Sequence, residues 1–264
     1  MEFEPGIIYD VSRKSLEASI FEGLVNAEKI RRSEELEKYS DLASFEKEYF
    51  GIEVGHIRKA FDDFMISKMA KGGYLLDYGC GKSWYKERYW PFYDKVYALE
   101  IYESALLDIR EKFKDVILLY SKNGLADLEQ KFDVVLSSSV VGFILPIQAR
   151  YHIKACYELL KPGGQFVLTR VAAFNLRNFI KFEKLVTAHF GTSFGYYYTK
   201  QELYRELLRC NFKNIKYYGL GVVLPKIDMR SVQRYYQKHA RFMCEVLPQI
   251  LPFLKCHHMF TATK

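Results

Sequence analysis

Paired cysteines are missing from this chain. Its five cysteines, Cys80, Cys156, Cys210, Cys244 and Cys256, form no Cys-x-x-Cys pair, and no Cys/His cluster has zinc spacing. The nearest approach to a metal cluster, Cys256-His257-His258, is read more simply as successive positions on a terminal strand, and no metal is expected. Missing too is any apolar run of the roughly 20 residues that a spanning helix needs. The longest candidate, Val134 to Leu145, is interrupted by Ser137, Ser138 and Ser139. The start, Met1-Glu2-Phe3-Glu4, is acidic and lacks the apolar run of a signal peptide. There is no internal repeat and no low-complexity linker. These absences exclude a disulfide framework and predict reduced thiols in a cytoplasmic protein. The apolar, proline-broken segment Val246 to Leu254 keeps peripheral membrane contact open.

What is present is ordinary for a globular chain. Of 264 residues, 49% are apolar and 27% charged, enough for one α/β domain with an added helical segment. The net charge of +7 comes from lysines and arginines spread along the chain. A spread surplus describes a solvated surface and argues against a nucleic-acid partner.

The most informative stretch is Tyr74-Leu75-Leu76-Asp77-Tyr78-Gly79-Cys80-Gly81-Lys82-Ser83. An apolar strand ends in Asp77 and is followed by two glycines separated by one residue. A second strand, Lys95 to Leu99, ends in Glu100. Strand, glycine turn, helix, strand, acid is how an open α/β sheet grips a nucleoside ligand. The glycines allow close approach of the backbone. The carboxylate accepts hydrogen bonds from ribose hydroxyls.

The remaining pattern alternates strand and helix. Helices are predicted over Ser83 to Trp90, Ser104 to Phe113, Pro146 to Leu160, Lys200 to Cys210 and Met229 to Leu247. Strands are predicted over Val116 to Tyr120, Phe132 to Ser137, Gln165 to Arg170, Phe212 to Tyr218 and His257 to Thr263. Residues 1–70 are charged and read as helical. Within them Ile57, Phe61, Phe64, Met65 and Met69 form one stripe, and Lys71-Gly72-Gly73 ends that helix. The expected class is α/β with a mainly parallel sheet. The division expected is a helical cap or lid over 1–70 and a ligand-binding domain over 71–264, with 171–199 and 225–255 as acceptor-side insertions. A helical layer covering the sheet edge is the alternative for 1–70.

The order of these details resembles the class I S-adenosylmethionine-dependent methyltransferases. Leu75-Leu76-Asp77-Tyr78-Gly79-Cys80-Gly81 matches their first motif, with Ser83 at the third glycine. Phe132-Asp133-Val134-Val135 matches the opening of their fourth strand. Leu159-Leu160-Lys161-Pro162-Gly163-Gly164 matches the turn into their fifth. The resemblance implies a Rossmann-like, doubly wound, mainly parallel seven-stranded sheet, its last strand entering antiparallel. It implies S-adenosylmethionine as cofactor, S-adenosylhomocysteine as product and a small-molecule acceptor. A lipid-like acceptor and a non-catalytic scaffold are the alternatives. The Asn-Pro-Pro-Tyr signature of exocyclic-amine methyltransferases is absent, which argues against DNA adenine methylation.

The cofactor residues expected on this resemblance are Asp77, Gly79, Cys80, Gly81, Glu100, Ile101, Ser121, Asn123, Leu125, Ser137 and Ser138. Asp77 acts near the ligand ammonium or only caps the turn. Cys80 offers its backbone, its side chain packing or serving as a reactive thiol. Ser121 or Asn123 meets the adenine amino group and Leu125 stacks, unless Asn123-Gly124 is a plain turn. The acceptor pocket is expected from Phe143, Phe174, Arg177, Tyr196 and Tyr197, an aromatic lining with a few polar groups. His189 is a candidate general base or a structural histidine. His152 and Glu183 are weaker candidates.

Overall fold

The computed structural model describes residues 3–15, 18–19, 22, 55–82, 85–144, 146–171, 198–222, 239, 242, 246–251 and 255–264. Strand β1 is Ile8–Asp10 and helix α1 is Gly55–Lys68. Next come β2 (Tyr74–Tyr78), β3 (Lys95–Glu100), α2 (Glu103–Lys112), β4 (Ile117–Tyr120) and β5 (Phe132–Ser138). The second half holds α3 (Pro146–Leu159), β6 (Leu160–Val171), α4 (Lys200–Arg209), β7 (Lys213–Val222), α5 (Leu247–Ile250) and β8 (Lys255–Thr263).

The strands form one sheet in the order β1-β4-β3-β2-β5-β6-β8-β7. All pairings from β1 to β6 are parallel, and β8 runs antiparallel between β6 and β7. The sheet therefore has eight described strands rather than seven. The extra one is β1, which pairs with the β4 edge through Ile8 opposite Leu118 and Asp10 opposite Tyr120. Three residues are too few to show a period of two, so the sequence pattern did not reveal it.

Alternate residues of the central strands sort cleanly onto two faces, as a pleated strand requires. Leu76, Leu99, Val135 and Leu168 join a core covered by Ile153 of α3 and Leu203 and Leu207 of α4. Leu75, Ala98, Val134, Leu136 and Val167 join a second core covered by Phe61, Phe64, Met65 and Met69 beside Leu106 and Ile109 of α2. Both faces are buried, which is why the strand sequences read as nearly unbroken apolar runs. Each of these fully buried side chains contributes about 1.5–3 kcal/mol. Of the leading section, β1 extends the sheet and α1 forms a layer on one face.

One predicted helix is replaced. The span Ser83 to Trp90 was expected to be helical, but the chain instead makes two 3₁₀ turns, Lys86–Arg88 and Trp90–Phe92. Tyr85 at φ 61° interrupts any helix entering the first turn, and Pro91 has no amide for a continuing one. The turns bury Lys86, Tyr89 and Trp90, so tertiary contacts override local propensity here. The Met229 to Leu247 helix lies almost wholly outside the described residues.

The motif residues that turn the chain have visible work. Asp133 accepts the Tyr74 amide at 2.7 Å and the Lys161 ammonium at 2.8 Å. One carboxylate thereby joins the starts of β2 and β5 to the turn opening β6. Burial alone would raise the Asp133 pKa, but the Lys161 and Tyr74 hydrogen bonds carry it below the ordinary carboxylate value.

Candidate functional site

The site is built where β2 and β3 end side by side. After Tyr78 the chain turns sharply, with Gly79 at φ 72° and Gly81 at φ 62°. The Gly79 and Cys80 amides both donate to the Leu99 carbonyl, at 2.8 and 3.1 Å. The Gly81 amide donates to Glu100 Oε2 at 2.8 Å, and the Ile101 amide to Oε1 at 2.7 Å. The glycine turn and the acid are therefore one unit, stitched together by main-chain donors.

The two glycines serve different ends. A Cβ at Gly79 would stand 2.4 Å from Cγ2 of Val140. Val140 is brought there by Ser139, itself in the left-handed region at φ 65°. At Gly81 nothing among the described residues lies within 4 Å of a Cβ position. Gly79 is a packing requirement, whereas Gly81 opens onto free space beside the Glu100 carboxylate.

Glu100 is buried, and burial raises its pKa above the ordinary carboxylate value. The amides of Gly81, Ile101 and Tyr102 and the charge of Lys86 oppose that rise. Its two oxygens each take a main-chain donor and keep lone pairs for hydroxyl donors. Ile101 packs against the first core.

Asp77 is placed differently from its expected role at the ligand ammonium. It is fully buried, and its Oδ2 accepts three side-chain donors: Lys86 Nζ at 2.7 Å, Tyr89 OH at 2.7 Å and Trp90 Nε1 at 3.1 Å. Its Oδ1 has no hydrogen-bond partner among the described residues. Burial and the Asp77 carboxylate push the Tyr89 hydroxyl pKa well up, so it stays a donor. None of Lys86, Tyr89 and Trp90 was singled out from the sequence, because nothing in their spacing shows that they converge on one oxygen.

Cys80 packs in the second core, and burial drives its thiol pKa well above the ordinary value. This corrects the reactive-thiol reading, since a reactive cysteine needs a depressed pKa and access. Ser121, Asn123 and Leu125 form a closed turn rather than an open adenine edge. Ser121 Oγ donates to the Leu125 carbonyl at 2.8 Å, and the Leu125 amide donates to Asn123 Oδ1 at 3.1 Å. Asn123 Nδ2 donates to the Arg13 carbonyl at 2.9 Å, and all three residues are buried. Tyr78 fastens the same turn to β2 by donating to the Gly124 carbonyl at 2.7 Å.

At the end of β5, Ser137 Oγ meets His152 Nε2 at 2.8 Å and Ser138 Oγ meets Thr169 Oγ1 at 3.0 Å. His152 is buried against the Tyr78 ring, and desolvation lowers its pKa to about 3. It is a neutral core histidine, held by Ser137. His258 on β8 is likewise buried and meets the Tyr217 hydroxyl at 3.0 Å. His189, Glu183, Phe174, Arg177, Tyr196 and Tyr197 lie outside the described residues. Phe143 lies in a short 3₁₀ turn over Val140–Phe143.

A separate open groove of about 520 Å³ lies between the β1 segment and the turn after β4, lined by Asp10, Ser12, Arg13, Lys122 and Asn123 among others. None of Gly79, Gly81 and Glu100 lines it. Lys122 pairs with Glu22 across it at 3.1 Å. It is a mixed-charge cleft away from the glycine turn and Glu100.

Comparison with solved structures places this architecture. A SAM-dependent methyltransferase from Thermotoga maritima aligns with TM-score 0.55 and 14% identity, over 83% of this chain and 96% of that one. The phosphoethanolamine N-methyltransferase 2 of Haemonchus contortus, in complex with S-adenosyl-L-methionine, aligns with TM-score 0.54 and 15% identity, over 78% of this chain and 52% of that one. The N-methyltransferase NodS of Bradyrhizobium japonicum, in complex with S-adenosyl-L-homocysteine, gives 0.52 and 9%, over 89% and 98%. No curated protein matches the chain by sequence. Residues 76–168 match the family model described as a methyltransferase domain. Over these residues the chain is similar to the S-adenosylmethionine-dependent methyltransferases, and the solved structures share its fold. That methyltransferase match begins at Leu76, inside β2, and runs to Leu168, inside β6. It therefore contains the whole unit of glycine turn and Glu100. S-adenosylmethionine is the family's cofactor, and the open space at Gly81 beside a buried carboxylate fits its nucleoside half.

Proposed function

We propose that this methyltransferase transfers the methyl group of S-adenosylmethionine to an oxygen or nitrogen of a small organic molecule. The observation that carries the reading is the pairing of Glu100 with the Gly81 amide at the mouth of open space. In it, Glu100 takes the ribose hydroxyls, and the turn from Gly79 to Gly81 passes under the amino-acid portion. The sulfonium donor is already activated, so the protein has to align the nucleophile with sulfur and methyl and exclude water. A base is needed only when the acceptor arrives protonated. His189 is proposed for that step, within an acceptor side formed by 171–199 and 225–255, with Phe174, Arg177, Tyr196 and Tyr197 lining it. A cap or lid over the ligand mouth is proposed for the helical section of residues 1–70.

Three of the structural relatives carry the name N-methyltransferase, one of them as a possible histamine N-methyltransferase, which puts amines first in an acceptor panel. The exposed Val246 and Ile250 favour a second reading, a lipid-like acceptor met at a membrane surface. Among the described residues no helix is long and apolar enough to cross a membrane. The cytoplasmic setting is proposed on the thiol pattern of the sequence. The test is methyl-labelled donor incubated with amine, hydroxyl and lipid acceptor pools. Label in a small amine or alcohol supports the proposal, label only in the lipid pool supports the second reading, and label in none contradicts both.

A further inference from the structure

Neighbouring residues of helix α1 touch the donor floor and the far end of the sheet. On the donor side Arg88, in the first 3₁₀ turn, forms ion pairs with buried Asp62 at 3.4 Å and with exposed Asp63. Arg88 stands between Lys86 and Tyr89, and both of these bond Asp77 Oδ2 at 2.7 Å. Trp90 bonds the same oxygen at 3.1 Å. Cys80 of the glycine turn packs in one core with Tyr89 and Trp90 and with Phe61, Phe64 and Met65 of α1. The chain enters this 3₁₀ segment through Tyr85 at φ 61°, a conformation that a bulky residue keeps only where its surroundings hold it. On the other side, the Phe61 ring lies 5.0 Å from that of His257. His257 lies near the start of β8, paired with Val171 at the end of β6 and with Leu220 of β7. The proposed acceptor-side segments leave the sheet from those same strand ends.

We propose that Arg88 is a positioning residue that ties α1 to the floor of the donor site, so that donor binding steadies α1 and the start of β8 with it. This rests on the placement of the donor in the proposed function. A donor seated on the turn from Gly79 to Gly81 fixes the backbone that leaves Asp77, and with it the three side chains that Asp77 holds. Arg88 is carried by that same short segment. Fixing the segment therefore fixes the cation that Asp62 and Asp63 meet. The helix cannot shift without breaking the pair at buried Asp62 or pulling the segment out of the floor. The effect is reciprocal by linkage: the factor by which the donor steadies α1 is the factor by which a docked α1 tightens the donor.

The experiment is amide hydrogen exchange of the full chain with and without saturating S-adenosylhomocysteine, beside calorimetry of the same ligand, for wild type, Arg88→Gln, Arg88→Lys and Asp63→Asn. Circular dichroism checks that each variant folds. In wild type the ligand is expected to slow the amides of 55–68 and 255–259 about fivefold or more. In Arg88→Gln that slowing is lost and affinity falls by a similar factor, while the amides of 79–81 and 100–102 are still protected by the ligand. Arg88→Lys restores most of both effects. Asp63→Asn removes an exposed partner only and is expected to lose part of the slowing, which keeps the test decisive if Arg88→Gln does not fold. Slowing of 55–68 that is undiminished in folded Arg88→Gln, or in Asp63→Asn where Arg88→Gln is unfolded, overturns the inference and leaves the donor site standing. A wild type that binds the ligand without any change in 55–68 does the same. A wild type that binds no S-adenosylhomocysteine overturns the proposed function, and the inference with it.

Discussion

Asp77 and Glu100 end neighbouring parallel strands, and both are buried carboxylates. Asp77 is saturated on one oxygen by three side chains, a lysine among them, and sits under the turn. Glu100 is held by backbone amides of the turn itself and faces the open space at Gly81. Side-chain donors can be exchanged and repacked in evolution, whereas main-chain donors come with the fold. The difference therefore separates a carboxylate that builds the floor from the one proposed to receive the ligand. The two should fail differently when removed.

Asp77→Ala gives the largest expected effect. It strands the Lys86 ammonium without its carboxylate, and losing one partner of a buried ion pair costs about 3–5 kcal/mol. Urea unfolding reads that loss, and Asp77→Asn recovers only part of it, keeping an acceptor for Tyr89 and Trp90 while leaving Lys86 without a counter-charge. Glu100→Ala should instead cost less in stability and far more in binding. Losing two charge-assisted hydrogen bonds to ribose corresponds to roughly a 100-fold weaker affinity for S-adenosylhomocysteine, read by calorimetry. Equal losses of stability in the two variants, with binding intact in the second, would erase the distinction.

The glycines sharpen the same contrast on a smaller scale. Gly79→Ala drives a methyl into Val140 and holds alanine at positive φ, for a combined loss of about 2–4 kcal/mol. Val140→Ala in the same chain should return the steric part. Gly81→Ala meets no neighbour and should cost about 1 kcal/mol in thermal unfolding, while narrowing the approach of the ligand and weakening its binding. A smaller effect still tests the frame outside the site. The depressed pKa of Asp133 means that its contribution to stability is present above the unfolded carboxylate pKa and is lost as pH falls through the folded value. Asp133→Asn should flatten the acid side of the stability profile without changing nucleoside affinity.

Much of this was written in the sequence. The central strands were legible because burial on both faces leaves apolar runs such as Val134-Val135-Leu136. The joining of Glu100 to the glycine turn was legible, since an acid closing the second strand stands beside that turn, and the Gly81 amide bonds its carboxylate. The helix after Thr199 carries a full capping box with Glu202, whose side chain and amide bond Thr199 reciprocally. Lys86, Tyr89 and Trp90 were not legible, since they meet only through the two 3₁₀ turns that replaced the expected helix. The same holds for Ser121 and Asn123, whose polar atoms are spent on their own turn and on the segment after β1. Strand β1 was too short to declare itself.

The account turns on where the ribose lies. A crystal structure of the chain with S-adenosylhomocysteine measures that directly. The prediction is both ribose hydroxyls at about 2.5–3.0 Å from the Glu100 carboxylate, with the amino-acid portion over Gly79 and Gly81 and the Asp77–Lys86 pair intact beneath. A ligand seated elsewhere, or a ribose held without Glu100, contradicts it.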